Sequence, residues 1–214
     1  MFYRLSPHLV LRSRWRPHLS RPGERVLVLR TSGAFPPGHP TTLLSLELLQ
    51  EVLASGPCSA GFQPVIGKRL LDVGCGSGVL TLAAAALGVD FCLGVDLSRQ
   101  AVRLARQNSR ENGLAAALRL VQGETECLRG PFEVVLANLP WPVQMAKVTE
   151  LDRLAAKSGA LILSGFRDTQ EAELLSHYKA RGWSLKRRLT RDQWAIEVPP
   201  EGSYTWVAWL LHGP

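Results

Sequence analysis

The stretch RLLDVGCGSG at residues 69–78 joins a short apolar run to a glycine-rich turn. Arg69–Val73 has the apolar composition of a buried strand, and the alanine-rich run Val79–Leu87 that follows is typical of a helix. Glycines at positions 74, 76 and 78 let the backbone approach a ligand closely and lead directly into the helix N-terminus. A strand, a glycine-rich turn and a helix in this order predict a ligand-binding loop.

Strand and helix patterns alternate along most of the chain around this loop. Other strands are predicted at Arg25–Arg30, within Asp90–Asp96, and at Ala117–Val121, Phe132–Ala137, Ala160–Ser164, Trp183–Leu189 and Tyr204–Leu211. Other helices are predicted at Thr41–Ala54, Ser98–Asn112, Val143–Lys157 and Asp168–Arg181. This order predicts an α/β fold with a doubly wound, mainly parallel seven-stranded Rossmann-like sheet and an antiparallel edge hairpin.

Length and composition fit one soluble globular domain, because the 214 residues are 46% hydrophobic and 20% charged. No apolar run approaches the roughly 20 residues that span a bilayer, and we expect no membrane partner. The four cysteines form no C-x-x-C pair and have no histidine nearby at metal-ligand spacing. We therefore expect reduced thiols, no metal and a cytoplasmic location.

Positive charge is concentrated at the N-terminus. Residues 1–40 contain seven arginines and one acid, Glu24, so they carry +6 of the net charge of +7. Such a patch favours an anionic partner, RNA or a ribosomal surface, and Phe2, Tyr3 and Trp15 either stack on bases or cover the core. The alternatives are a solvated arm without a partner and an arginine-rich transit peptide.

Two aspartates indicate which ligand the loop holds. Asp72, two residues before the first glycine of a G-x-G-x-G spacing, is a poor neighbour for a pyrophosphate but a good acceptor for an ammonium group or a water. Asp96 ends the next strand, where a carboxylate binds both hydroxyls of a ribose. A ribose, no phosphate and a cationic end describe S-adenosylmethionine. Taken singly, the glycine-rich segment could be only a tight turn, and Asp96 could be only a helix cap. Glu124, which follows the next predicted strand, either reaches the adenine edge or is solvated.

Several segments resemble the class I S-adenosylmethionine-dependent methyltransferases, and more narrowly the PrmA family of ribosomal large-subunit protein methyltransferases. The general resemblance rests on Asp72–Gly78, Gly94–Leu97 and Ala101–Asn108. Residues 34–42, AFPPGHPTT, are similar to the Ala-Phe-Gly-Thr-Gly-x-His-x-Thr-Thr segment of PrmA, and Gly130–Asn138 and Leu161–Gly165 match that family in order and spacing. The match runs from about residue 9 to the end.

The resemblance implies a site and a domain division. Its cofactor-binding residues are Phe35, Thr42, Asp72, Gly74, Cys75, Gly76, Asp96, Leu97, Glu124 and Asn138. Phe35 and Thr42 would line the methionine end of the cofactor. Residues 1–40 would form a basic arm and a cofactor-covering loop, and residues 41–214 the methyltransferase domain. The family also carries a separate N-terminal domain that docks the ribosomal substrate, for which we expect no room here, and Pro36-Pro37 replace its Gly-Thr pair.

The candidate catalytic residues are Asn138, Leu139, Pro140 and Trp141, which follow a predicted strand. A lysine amine, with a reference pKa of about 10.4, must lose a proton before it attacks a methyl group. The Asn138 side-chain oxygen and the Leu139 carbonyl can accept its N–H bonds and align the lone pair. The four residues also resemble the Asn-x-Pro-aromatic motif of enzymes that methylate planar nitrogens, in which Trp141 would stack on the acceptor. A surface tryptophan between two prolines is an equal alternative.

Three functions therefore stay open on the sequence. The first is a PrmA-like N-methyltransferase that acts on a protein amine, ribosomal or other, and releases S-adenosylhomocysteine. The second is an RNA base N-methyltransferase, favoured by Trp141 and the arginine arm. The third is a non-catalytic cofactor-binding module, for which we would expect Asp72, Asp96 or Asn138 to be lost.

Overall fold

The computed structural model describes residues 2–6, 9–31, 36–54, 67–193 and 204–214. In chain order the strands are β1 Phe2–Ser6, β2 Leu9–Ser13, β3 Arg25–Leu29, β4 Arg69–Val73, β5 Phe91–Asp96, β6 Leu118–Gln122, β7 Phe132–Asn138, β8 Ala155–Arg167, β9 Ser184–Asp192 and β10 Thr205–His212. The helices are α1 Pro40–Ala54, α2 Val79–Ala86, α3 Arg99–Glu111, α4 Trp141–Leu154 and α5 Glu171–Lys179, with short 3-10 turns at Thr125–Cys127 and Asp168–Gln170.

The central sheet has seven strands in the order β6-β5-β4-β7-β8-β10-β9. The first five are parallel, and β10 runs antiparallel to both β8 and β9 at the edge. This confirms the predicted α/β fold, its mainly parallel seven-stranded sheet and its antiparallel edge pair.

The strand order reverses between β4 and β7, which are neighbours in the middle of the sheet. From β4 the chain proceeds outward to β5 and β6, then returns to β7 and continues to β8. The connections that leave β4 and β7 therefore lead in opposite directions, and such a switch point leaves a crevice at the carboxyl ends of the strands. The glycine-rich loop follows β4 and Asn138 ends β7, so both predicted site segments lie at this crevice.

Helices pack on both faces of the sheet, as a doubly wound fold requires. Leu70 and Leu136 point to one face, where they join a core with α1 and α2. Their neighbours Leu71 and Val135 point to the other face, where they join a core with α4 and α5. In the described part of the chain, no helix is long and apolar enough to cross a bilayer.

The N-terminal segment is more ordered than the sequence analysis indicates. Besides β3, which was expected, it forms β1 and β2, and the three strands make a small second sheet. Leu9 and Leu11 on β2 are fully buried in the core that also contains α1 and α2. Each apolar run here is only a few residues long and lies between arginines, so its hydrophobic pattern is too short to indicate a strand.

Two asparagines, Asn108 on α3 and Asn112 directly after it, fix the small sheet to the main domain. The Asn112 side chain accepts the Val28 N–H and donates to the Val28 carbonyl, both at 2.8 Å. Asn108 does the same with Arg30, at 2.9 and 3.1 Å, and also donates to the Ser77 carbonyl at 2.9 Å. The two side-chain amides thus make the backbone hydrogen bonds that a neighbouring strand would make with this segment. Asn108 also links the end of β3 to the glycine-rich turn.

Two predicted boundaries are wrong. The helix expected at Val143–Lys157 begins at Trp141 and ends at Leu154, and Ser158–Gly159, expected to end it, lie within β8. β8 extends over 13 residues because it pairs with β7 from Ala155 onward and with β10 over its second half. The pairing of Ala155 with Phe132 of β7 begins the strand there and overrides the helical preference of the local sequence.

The burial of β2 predicts a stability effect. We expect Leu11→Ala to lower the free energy of unfolding by about 2–5 kcal/mol, because it leaves a cavity in the core. Leu19, which is 94% exposed, provides the control. Leu19→Ala should change the same quantity by less than about 0.5 kcal/mol in urea denaturation. Equal effects of the two changes would contradict the placement of β2 in the core.

Candidate active site

A cleft of about 540 Å³ opens at the carboxyl ends of β4, β5 and β7. The predicted site residues that line it are Gly74, Gly76, Asp96, Leu97, Glu124, Asn138, Leu139 and Pro140. A second cavity of about 50 Å³ shares some of these residues and is lined by Thr42, Asp72, Gly74, Cys75, Gly76 and Asn138. The structure thus brings the predicted cofactor and acceptor segments to one place. Phe35 lies outside the described residues.

The glycine-rich turn is held by the end of the neighbouring strand β5. The N–H groups of Gly74 and Cys75 both donate to the Val95 carbonyl, at 2.8 and 3.1 Å. Gly74 has a φ of 71°, and a side chain there would meet Leu139 Cδ2 at 2.5 Å. The left-handed backbone favours glycine at this position, because a larger residue would be strained there and would displace the tip of the Leu139 side chain.

The Asp96 carboxylate lies beside this turn and faces the cleft. Its Oδ2 accepts the Gly76 N–H at 2.9 Å and its Oδ1 accepts the Ser98 N–H at 2.8 Å. Ser98, rather than Asp96, caps α3 through the Ala101 N–H. Because each carboxylate oxygen accepts more than one hydrogen bond, both oxygens can still bind a pair of adjacent hydroxyls.

Asp72 is buried and lies behind the turn. Its Oδ2 accepts the Thr81 N–H at 3.1 Å and the Thr81 hydroxyl at 2.5 Å, so the carboxylate sits at the N-terminus of α2. Burial raises the pKa of Asp72 to about 6, the bonds from Thr81 oppose this, and the charge of Asp96 adds to it. Asp72 borders the smaller cavity, between Thr42 and Asn138.

The other predicted cofactor residues occupy different depths. Cys75 is buried, and desolvation raises the pKa of its thiol well above the ordinary value. Leu97 is 67% exposed at the cleft and offers an apolar surface to a ring. Glu124 is exposed at the cleft and pairs at 3.3 Å with Lys147 of α4, whose ammonium group also pairs with Glu126 at 2.7 Å. Lys147 was not predicted as a site residue, because it faces Glu124 only after α4 packs across the sheet.

The acceptor segment is fixed by buried polar contacts at the ends of β7 and β8. The Leu139 N–H donates to the Ser164 carbonyl at 3.1 Å. The Gln144 side chain, fully buried, donates to the carbonyls of Ala137 at 2.6 Å and Ser164 at 2.8 Å. The side-chain nitrogen of Asn138 donates at 3.4 Å to the Thr42 hydroxyl, so this contact does not use the side-chain oxygen of Asn138. Gln144 and Ser164 were not predicted, because neither belongs to a motif.

Gly165 completes the wall behind the acceptor segment. It has a φ of 98°, and a side chain there would collide with the Leu139 carbonyl oxygen. Gly165 and Leu139 both line the cleft. The close approach of the two backbones therefore depends on glycine at this position.

Trp141 is placed away from the cleft lining. It begins α4, its indole N–H donates to the Gln170 carbonyl at 3.2 Å, and its ring packs against the core under α4 and α5. In this position Trp141 stabilises the packing of α4 and does not provide a stacking surface in the cleft.

His39 lines the cleft and hydrogen-bonds to Thr41. Its Nδ1 accepts the Thr41 N–H at 3.3 Å and lies 2.9 Å from the Thr41 hydroxyl. Its ring contacts the edge of Trp206 at 4.8 Å between centroids. Burial, together with the charge of Arg167, lowers the pKa of His39. Among the described residues, no group of three or more His, Cys, Asp or Glu side chains forms a metal site.

A family profile and the curated relatives point to one family. A family profile described as ribosomal protein L11 methyltransferase (PrmA) matches residues 3–198. The ribosomal protein L11 methyltransferase of Syntrophotalea carbinolica is 35% identical over 193 residues, which cover 90% of this chain and 60% of the relative. That of Geotalea daltonii is 32% identical over 209 residues, which cover 97% of this chain and 63% of the relative. The chain thus spans between 60% and 63% of the length of these curated relatives.

A solved structure supports the fold. The crystal structure of ribosomal protein L11 methylase from Lactobacillus delbrueckii subsp. bulgaricus superposes with a TM-score of 0.78 at 21% identity. The superposition covers 100% of this chain and 98% of that one. The architecture is therefore that of a Rossmann-like methyltransferase fold.

The raised pKa of Asp72 predicts a pH-dependent stability. Folded Asp72 keeps its proton up to about pH 6, whereas its ordinary pKa is 3.8, so this group makes the protein less stable as pH rises between those values. Asp72→Asn cannot titrate there. The free energy of unfolding of the unmodified protein, relative to this variant, should fall by about 2 kcal/mol between pH 4 and 7 in urea denaturation.

A second variant separates the two effects on this carboxylate. In Thr81→Val the hydroxyl that stabilises the charged form is missing, so the fall should continue to higher pH. A difference between the unmodified protein and Asp72→Asn that does not change with pH would contradict the assignment.

Proposed function

Because the chain belongs to the ribosomal protein L11 methyltransferase (PrmA) family, we propose that it transfers a methyl group from S-adenosylmethionine to an amine nitrogen of a ribosomal protein. The product of the cofactor is S-adenosylhomocysteine. The observation that carries the proposal is that the Asp96 carboxylate and the Asn138 amide line one cleft, on either side of the glycine-rich turn.

The residues of the cleft fit S-adenosylmethionine. Asp96 offers two carboxylate oxygens to the ribose hydroxyls, and Leu97 and Glu124 lie on the side where an adenine ring would extend. Asp72, behind Gly74, offers a carboxylate toward the cationic methionine end. When bound, the cofactor supplies a methyl group on a positively charged sulfur, and the chain has to align the acceptor and exclude water.

Asn138 and Leu139 are suited to align an amine. The Gln144 and Ser164 contacts fix the backbone of this segment, so the Asn138 side-chain oxygen and the Leu139 carbonyl are preorganised. Both are neutral acceptors, so they bind the N–H groups of an amine and leave its lone pair aimed into the cleft. Pro140 has no N–H and does not compete for these acceptors.

The placement of Trp141 favours a protein amine over an RNA base as the methyl acceptor. The Asn-x-Pro-aromatic motif would stack Trp141 on the base, and the Trp141 indole is instead bonded to Gln170 and packed on the core. Trp206, whose ring does line the cleft, is contacted by the Arg167 guanidinium at 3.5 Å and by the His39 ring. The retention of Asp72, Asp96 and Asn138 around the two cavities argues against a non-catalytic module.

The ribose assignment predicts the effect of Asp96→Ala. We expect the affinity for S-adenosylhomocysteine in titration calorimetry to fall by about 10- to 100-fold, because the hydrogen bonds to a charged acceptor are lost. Asp90→Ala is the matched control, since Asp90 precedes β5 at the opposite end of the strand and is exposed. Its affinity should be unchanged. Unaltered binding by a folded Asp96→Ala protein would remove Asp96 from this role.

The acceptor assignment predicts the effect of Asn138→Ala. With labelled S-adenosylmethionine and isolated ribosomal protein L11, we expect the label in the protein and a turnover about 10- to 100-fold lower in this variant. Binding of S-adenosylhomocysteine should be retained. Normal turnover would contradict the role of Asn138. Label that appears in total RNA and survives protease, with none in L11, would refute the protein acceptor.

A further inference from the structure

The loop that connects β2 to β3, residues 14–24, presents an unusual combination of side chains to solvent. Trp15 is 86% exposed, and the apolar Leu19 on the same loop is also exposed. Arg14, Arg16 and Arg21 on the loop are exposed as well. The Arg14 guanidinium lies 5.7 Å from the centroid of the Trp15 ring, which places a cation beside a flat aromatic surface.

The backbone of this loop is held in place from inside. Arg12 Nη1 donates to the carbonyls of Ser13 at 3.2 Å, Arg14 at 3.4 Å and Arg16 at 2.9 Å. The Arg16 N–H also donates to Ser13 at 3.1 Å. Trp15 and the arginines on either side of it are thus carried on a fixed turn, which reduces the entropy lost when a ligand binds.

The arginine side chains of the loop form no ion pair within the described residues, and Arg14 acts at longer range on Glu111, which is already paired with Arg30. Glu24, the one acid among residues 1–40, is bound by Arg4, by His18 at 2.6 Å and by the Arg21 N–H at 3.1 Å. These contacts, that with His18 foremost, lower the pKa of Glu24 to about 2, so it stays charged and occupied. In the part of the chain that the structure describes, no carboxylate forms an ion pair with the side chain of Arg14, Arg16 or Arg21.

The loop also has a definite position relative to the cleft. Because β2 and β3 are parallel, Ser13 and Leu29 end at the same edge. Asn108 connects Arg30, the next residue, to Ser77 in the glycine-rich turn. The loop therefore starts on the flank of the domain next to the cofactor side of the cleft, but its residues are not part of the cleft lining.

We propose that the β2–β3 loop is a binding surface for single-stranded RNA, with Trp15 stacked on a base and Arg14, Arg16 and Arg21 on phosphates. Unpaired arginines attract a polyanion, and an exposed aromatic ring beside them adds a surface on which any base can stack. A peptide of acidic residues alone, such as polyglutamate, would satisfy the arginines but has no aromatic group to stack on the ring. The RNA here is a docking partner and not the methyl acceptor, so this inference is independent of the proposed function.

The test is the affinity of the full chain for a fluorescein-labelled single-stranded RNA of about 12 nucleotides, measured by anisotropy at several salt concentrations. We expect Arg14→Gln/Arg16→Gln to weaken binding at least tenfold and to reduce the slope of log K against log salt by about 1.4, since two phosphate contacts are lost. The control Lys179→Gln/Lys186→Gln removes the same charge from α5 and the edge strand β9 and should leave the slope unchanged.

Substitution of Trp15 tests base stacking separately from charge, because the net charge of the loop stays the same. Trp15→Ala should weaken binding by about fivefold to a hundredfold, and Trp15→Phe should keep most of the affinity, because both rings stack. Circular dichroism checks that each variant is folded. An equal loss in the lysine control would show general electrostatic attraction and overturn the proposal. So would an unchanged affinity of Trp15→Ala, together with displacement of the RNA by polyglutamate, which would identify an acidic-peptide surface.

Discussion

The site depends on the hydrogen bonds that join the glycine-rich turn to the end of β5. Val95 accepts two N–H groups of the turn through its carbonyl, and Asp96 accepts a third through its carboxylate. The turn keeps its open shape only while β4 and β5 pair in the register that sets Val73 opposite Val95. The same pairing fixes the carboxylate that would bind a ribose. The position of the cofactor side is therefore a consequence of strand register.

The acceptor side is set by a different strand pair. The Ser164 carbonyl on β8 accepts the Leu139 N–H. The Gln144 side chain joins the ends of β7 and β8 by donating to the carbonyls of Ala137 and Ser164. Gly165 lets the two backbones touch at that level. Because β4 and β7 are neighbours, the two halves of the cleft meet at the switch point, and Gly74 and Leu139 are in contact range across it. A shift at one pair would move donor and acceptor relative to each other.

The sheet and the polar residues at the strand ends could be predicted because their evidence is local. Strands buried on both faces are continuous apolar runs, and Asp96 and Asn138 follow such runs directly. The residues that the sequence did not indicate act through contacts distant in the chain. Gln144 acts through its hydrogen bond to the Ser164 carbonyl, and Lys147 acts through its ion pair with Glu124. The N-terminal strands were not predicted for the same reason. Their apolar residues are buried only because they pack against α1 and α2.

Asp72 shows how a structural and a chemical role coincide in one side chain. The N-terminus of α2 needs an acceptor for Thr81, which an asparagine oxygen would also provide, although the helix dipole favours a negative charge there. The negative charge is opposed by burial, which raises the pKa of the carboxyl group to about 6. The raised pKa indicates that the helix N-terminus only partly offsets the cost of burying this charge. A cation in the small cavity between Thr42 and Asn138 would favour the ionised form, and we infer that the charge is retained for that purpose.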